Sequence, residues 1–140
     1  MTPAGPIRTR GEAAAHGFAD AITTCDREAA LAVCHPDIEF ISMLEIGGRS
    51  YRGHAGIQEY FHDIESAWAE WHVGVELVAE GADGRVAIVM TMRARGKESG
   101  LELSERMAHV WTLRDGRLLC NEFHREPEAA LRELGLAPRP

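Results

Sequence analysis

The sequence predicts an α+β fold, and three observations predict it. Apolar residues recur at helical spacing through most of the first half of the chain. The second half consists of alternating or continuous apolar runs separated by turns rich in glycine and aspartate. The two patterns are gathered in separate halves rather than interleaved. That arrangement gives an antiparallel sheet covered by helices, not a parallel βαβ sheet.

The elements follow in chain order. Residues 1–10, "MTPAGPIRTR", hold two prolines and a glycine and are expected to form a flexible tail. Residues 11–140 are expected to form one domain. From Gly11 to Cys25, the positions Ala14, Phe18, Ala21, Ile22 and Cys25 fall on one helical face. Asp26 reads as the N-cap of a shorter helix running through Cys34, which His35-Pro36 ends because a residue before proline avoids helical geometry. "DIEFISM" alternates and predicts a strand from about Ile38 to Met43. "EIGGRSYRGHAG" reads as a connection and helix entry; it has neither a GxGxxG pattern nor a phosphate-binding Lys-Ser/Thr. The longest helix is expected over about His54 to Glu70, with Ile57, Tyr60, Phe61, Ile64, Ala67, Trp68 and Trp71 as its apolar stripe.

A four-strand meander comes next. Its strands are His72 to Glu80, "RVAIVMTMRAR", Leu101 to Arg114, and Leu118 to His124. "GADG", "GKESG" and the Asp-Gly of "RDGR" supply the turns. A closing helix is expected from about Pro127 to Leu134, with proline in its first turn and Gly135 just past its end.

Bulk properties exclude several classes of function. Net charge is −7, the chain has a single lysine, Lys97, and no arginine block exists, so neither nucleic acid nor an anionic membrane surface is an expected partner. No apolar run approaches the ~20 residues that span a bilayer, and the first ten residues lack the apolar core of a signal peptide. Cys25, Cys34 and Cys120 form no CxxC pair. They predict a reducing, cytoplasmic setting, with Cys25 and Cys34 as small core residues. His16, His35, His54, His62 and His72 lack ligand spacing, so neither a metal nor a cofactor is expected.

One strand carries the chemical question. In "LSERMAHVWTLRDGRL" one face holds Glu105, Met107, His109, Trp111 and Leu113. A carboxylate and an imidazole thus share a mostly apolar face, which either lines a pocket or pairs two polar neighbours near a sheet edge. A carboxylate within reach of His109 would hold one tautomer and raise its pKa.

Four pieces, "CHPDIEF", "YRGHAGIQEYFHDIESAW", "HVWTLRDGRL" and "EAALRELGL", stand in an order and spacing that resemble the SnoaL-like proteins of the nuclear transport factor 2-like superfamily. The resemblance spans about residues 12 to 135. It implies a cystatin-like cone: a curved antiparallel sheet wrapped around the long helix, a pocket at the wide end, and homodimers paired through the outer sheet face. It also relates the chain in fold to ketosteroid isomerases and polyketide cyclases.

Residue by residue, the resemblance places Ser42 where those isomerases carry a carboxylate base, and Gly17 or Phe18 where they carry a tyrosine. His109 falls where they carry a protonated aspartate, and Phe123, with Asn121 two residues before it, where the cyclases place an acidic base. The epoxide hydrolase set finds no counterpart. Shared fold leaves the chemistry open.

His109 is therefore the candidate catalytic residue. Phe40, Ser42, Tyr60, Trp68, Met90, Met92, Glu105, Met107, Trp111, Asn121 and Phe123 are the candidate pocket residues. Glu122 and His124 lie on the opposite face from Asn121 and Phe123 and are expected to point outward. The expected function is binding of a compact apolar carbonyl compound, with cofactor-free isomerisation, cyclisation or dehydration by proton transfer. The alternative is a dimeric binding or interaction domain without chemistry.

Overall fold

The computed structural model describes residues 7, 9–42 and 50–136; Met43 and most of the expected tail lie outside them. The elements are α1 (Arg10–Thr24), α2 (Arg27–Val33), β1 (Cys34–Phe40), β2 (Tyr51–Arg52), α3 (Gly53–Ala67), β3 (Trp68–Glu80), β4 (Val86–Gly96), β5 (Glu102–Arg114), β6 (Arg117–His124) and α4 (Pro127–Glu133). The strands form one six-stranded sheet in the order β2-β1-β6-β5-β4-β3. The α+β class stands.

The sheet is mixed rather than purely antiparallel. β3 to β6 form the expected meander, but β1 runs parallel to β6. β1 and β6 are neighbours in the sheet but far apart in sequence, with β2, α3 and β3 to β5 between them, so no hairpin dictates their direction.

Local signals account for the helix ends. Thr9 caps α1 by accepting from the Glu12 N–H at 3.0 Å, and Asp26 caps α2 through the Ala29 N–H at 3.0 Å. α4 begins with Pro127 and closes on Gly135 at φ 73°, where the Leu136 N–H reaches back to the Leu131 carbonyl at 2.7 Å. Asp115 and Gly116 both take positive φ, 54° and 74°, as a tight hairpin between twisted strands requires.

Packing forms three layers. Cluster one fills the space between α1, α3 and one sheet face, and includes Phe18, Ile22, Phe40, Ile57, Phe61, Ile88, Met92 and Trp111. Cluster two lies on the other face, where Ala130, Leu131 and Leu134 of the α4 region cover Ala87, Val89, Ala108 and Val110. β4 and the middle of β5 are therefore buried on both sides. That burial explains why "VAIVM" is a continuous apolar run rather than an alternating one.

Several boundaries differ from expectation. α2 ends at Val33, and β1 begins at Cys34, four residues before the predicted strand start at Ile38. Pro36 sits inside this strand, which has the extended backbone that proline permits. Cys25 is not a core residue: it is exposed and closes α1 in a left-handed conformation at φ 56°. β2 lies within the stretch read as a connection.

The largest departure from the expected elements concerns the tryptophans. α3 stops at Ala67, and Trp68 and Trp71 belong to β3. A bulge between Trp68 and Glu70 inserts one residue, so two tryptophans three apart share a face, with rings 5.6 Å apart. That spacing imitates a helical repeat. A second irregularity between Val75 and Leu77 lets Val75 and Val78 both meet cluster one. The expected central role of the long helix is also shared: α1 lies against β3, β4 and β6, while α3 packs mainly on β1 and β2.

Candidate functional site

A narrow cavity lies between α1 and the sheet. Its walls are Ala15, Phe18, Ala19 and Ile22 from α1; Tyr60 from α3; Trp71 and Val73 from β3; Ile88, Met90 and Met92 from β4; Met107, His109 and Trp111 from β5; and Ser42. The small residues Ala15 and Ala19 stand where larger ones would meet the sheet, and they leave the gap. The space open to the centres of water molecules is about 40 Å³. Three methionines in the wall give it side chains that repack at low cost.

The polar groups of the wall are neutral. His109 is 6% exposed. Its Nδ1 lies 3.3 Å from Asn121 Nδ2. Asn121 is oriented by the backbone: its Oδ1 accepts from the Ile41 N–H at 2.8 Å, and its Nδ2 donates to the Ile41 carbonyl at 3.0 Å. The atom facing His109 is therefore an NH₂ donor, and Nδ1 must accept. Nδ1 carries no proton, so the ring proton sits on Nε2. That atom is buried and meets no hydrogen-bond partner.

Electrostatics keep the ring neutral, as this assignment requires. Burial, with a smaller contribution from the charge of His124, pushes His109 down to about 4. The expectation of a carboxylate raising its pKa fails. Glu105 is only half-buried and is not part of the wall. The polar neighbour of His109 is an amide from β6, across the sheet, rather than a carboxylate from its own strand.

Tyr60 and Ser42 are joined by a side-chain hydrogen bond, and burial pushes the Tyr60 phenol upward. Both hydroxyls stay protonated at neutral pH. The wall offers hydrogen-bond donors and, among the described residues, no carboxylate.

The other candidates lie behind or beside the wall. Phe40 stacks on Trp111 with centroids 5.7 Å apart and also lies 5.7 Å from His109. Phe123 meets His109 edge-on at 5.9 Å. These rings hold the imidazole plane without lining the cavity. Trp68 packs on Trp71 but stands outside the wall. Trp71, whose spacing fits the apolar stripe of a helix, stands in the wall on β3. Its indole Nε1 is buried without a partner.

Away from the cavity, Glu122, His124 and Glu133 bring ligand-type atoms within 4.8 Å of one another. Arg85 ion-pairs with Glu122 at 3.8 Å and Glu133 at 3.3 Å, so a resident cation already serves these carboxylates. Burial pushes the Cys34 thiol up to about 12, which leaves it inert.

Comparison with known proteins then places the fold. The chain resembles an NTF2-like protein of unknown function from Burkholderia pseudomallei, with TM-score 0.73 and 18% identity over 91% of this chain and 98% of that one. It resembles TerC, co-crystallised with polyporic acid, with TM-score 0.71 and 25% identity over 90% of this chain and 98% of that one. A Mycobacterium tuberculosis protein crystallised with estradiol-17beta-hemisuccinate aligns with TM-score 0.70 and 14% identity over 83% of this chain and 93% of that one. No curated protein matches the chain. The family model described as SnoaL-like domain matches residues 15–120, and the chain therefore belongs to the SnoaL-like domain family.

Proposed function

We propose that the cavity binds a compact, mainly apolar molecule through a carbonyl or enolic oxygen, and that His109 polarises that oxygen as a neutral hydrogen-bond donor. The observation that carries this reading is the buried Nε2–H of His109, left unpartnered while Nδ1 is tied to Asn121. A donor fixed in a dry, apolar wall stabilises developing negative charge on oxygen far better than one in water. This reading assigns His109 to polarisation, not to proton removal from carbon: with a pKa near 4 the ring is neutral at pH 7, and its basic nitrogen is occupied. Isomerisation, cyclisation or dehydration through an enolised intermediate is the chemistry such a donor assists. Small-molecule ligands in the structures of TerC and of the mycobacterial protein support a ligand-binding use of the fold.

A second reading is binding without turnover. It is favoured by the lack of a carboxylate base among the described wall residues. In either case we propose a homodimer in the cytoplasm; three free cysteines support a reducing setting. No helix among the described residues is long and apolar enough to cross a membrane.

The test is ligand-observed NMR with cyclohexanone and 2-tetralone as probes, on the native chain and on His109→Phe. The reading predicts saturable binding that weakens about tenfold in the variant, the effect of losing one buried hydrogen bond. Equal affinity for both proteins, or no binding of either ketone, would overturn it. Turnover of an enolisable ketone that disappears in His109→Phe would select the first reading over the second.

A further inference from the structure

We infer that Glu122, His124 and Glu133 form a binding site for a divalent transition-metal ion of the zinc class, seated between β6 and α4. The site lies on the face of the sheet opposite the cavity. Glu122 and His124 stand two apart on β6, so strand alternation puts both side chains on one face. That face is the one α4 covers. In the β5–β6 register Glu122 lies beside Val110 and His124 beside Ala108, and both of those residues pack with Leu131 and Leu134. Glu133, the last residue of α4, comes down on the same spot. One ligand-type atom from each of the three residues lies within 4.8 Å of the other two. An imidazole nitrogen with two carboxylate oxygens is a donor set that zinc accepts, with water completing a four-coordinate shell.

The distances fit a shared ion better than a bridging proton. His124 Nε2 stands 3.4 Å from Oε1 of Glu122 and 3.2 Å from Oε2 of Glu133. The nitrogen is buried, yet it makes a hydrogen bond to neither oxygen. Bonds of about 2.0–2.1 Å to a tetrahedral ion set the donor atoms about 3.3–3.4 Å apart, and place each oxygen about 35° off the imidazole lone-pair axis. Hydrogen-bond distance without hydrogen-bond alignment is what that arrangement produces. A bridging imidazolium would point its N–H at one oxygen. Arg85 does not fill the gap. Its Nη1 lies 3.8 Å from Oε2 of Glu122 and 3.3 Å from Oε1 of Glu133, the opposite oxygen of each carboxylate. Asp83 accepts from Arg85 Nε at 2.8 Å and anchors the guanidinium there. Each carboxylate therefore gives one oxygen to Arg85 and turns the other to His124. Arg85 orients the two carboxylates from outside, as the outer partners of metal ligands do.

The experiment titrates zinc chloride into the full native chain at neutral pH in a buffer that does not chelate the ion. Calorimetry gives affinity and stoichiometry, and long-range ¹H–¹⁵N correlation follows the seven histidines. One zinc per chain is expected, with a displaced resonance for His124 Nε2. Thermal unfolding should move to higher temperature, because an ion that binds only the folded chain stabilises it and this one ties α4 to β6. His124→Gln and Glu133→Gln should each weaken binding more than about 100-fold, beyond what loss of an outer partner costs. Glu122→Gln should weaken it as well; its side chain is 53% exposed, so this variant keeps the test valid if either of the others fails to fold. Cys25→Ser and His16→Gln change donors elsewhere on the surface and should leave the affinity unaltered. Absence of zinc binding would overturn the inference. So would binding that survives both His124→Gln and Glu122→Gln, or a zinc-dependent shift confined to other histidines.

Discussion

At the scale of single residues, the informative contact is Asn121 between Ile41 and His109. One amide pairs both backbone groups of Ile41 and still donates to the imidazole. Asn121→Leu would bury three polar groups without partners. We expect a loss of about 2–4 kcal/mol in urea denaturation, and a loss below 0.5 kcal/mol would mean that the network contributes little. His109 adds a pH signature. Its ordinary value is 6.5 and its folded value about 4. As pH falls between these values the unfolded chain takes up a proton that the folded chain refuses, so stability present above pH 6.5 drains away towards pH 4. Between pH 7 and pH 4.5 this one group should cost about 2 kcal/mol. The difference between the native protein and His109→Gln, measured at both pH values, isolates it. The sequence placed His109 on an inward face, as strand parity allows. It offered no sign that Asn121 would hold the ring, because β5 to β6 register depends on a hairpin whose pairing also slips between Thr112 and Leu113.

At the scale of elements, burial separates contacts that look alike on paper. Arg106 makes a bidentate pair with Glu76, at 3.0 and 2.7 Å, and reaches Glu128 at 3.3 Å, yet all three side chains are about half exposed. The Leu131 side chain is purely apolar, and the residue is 6% exposed beneath the β4–β5 face. Leu131→Ala should cost about 2–4 kcal/mol, whereas Arg106→Ala should cost at most about 1 kcal/mol. Chemical denaturation of both variants checks the order, and the reverse order would contradict this account of the α4 layer. The same physics governs what could be read from the chain. α1, α4 and the meander were legible because caps, turns and periodicity all agreed. The end of α3 was not: Trp68 and Trp71, three apart across a bulge, carry a helical spacing on a strand. β2, two residues long, is too short to leave a pattern.

At the scale of the whole molecule, the cavity exists because α1 presents alanines to the sheet. Ala19→Leu should fill it. We expect stability to change by no more than about 1–3 kcal/mol while ketone binding disappears, as thermal unfolding and ligand-observed NMR would report together. Retained binding would move the ligand elsewhere. The fold class and the apolar character of this wall were readable from strand faces and from the family resemblance. The neutrality of its polar groups was not, since it arises from burial by elements far apart in the chain. The most direct test of the account is the protonation state of His109 itself, read from long-range ¹H–¹⁵N correlation of the imidazole across pH. A neutral ring at pH 7 with its proton on Nε2, titrating near pH 4, is the predicted result; an imidazolium at pH 7, or a proton on Nδ1, would contradict it.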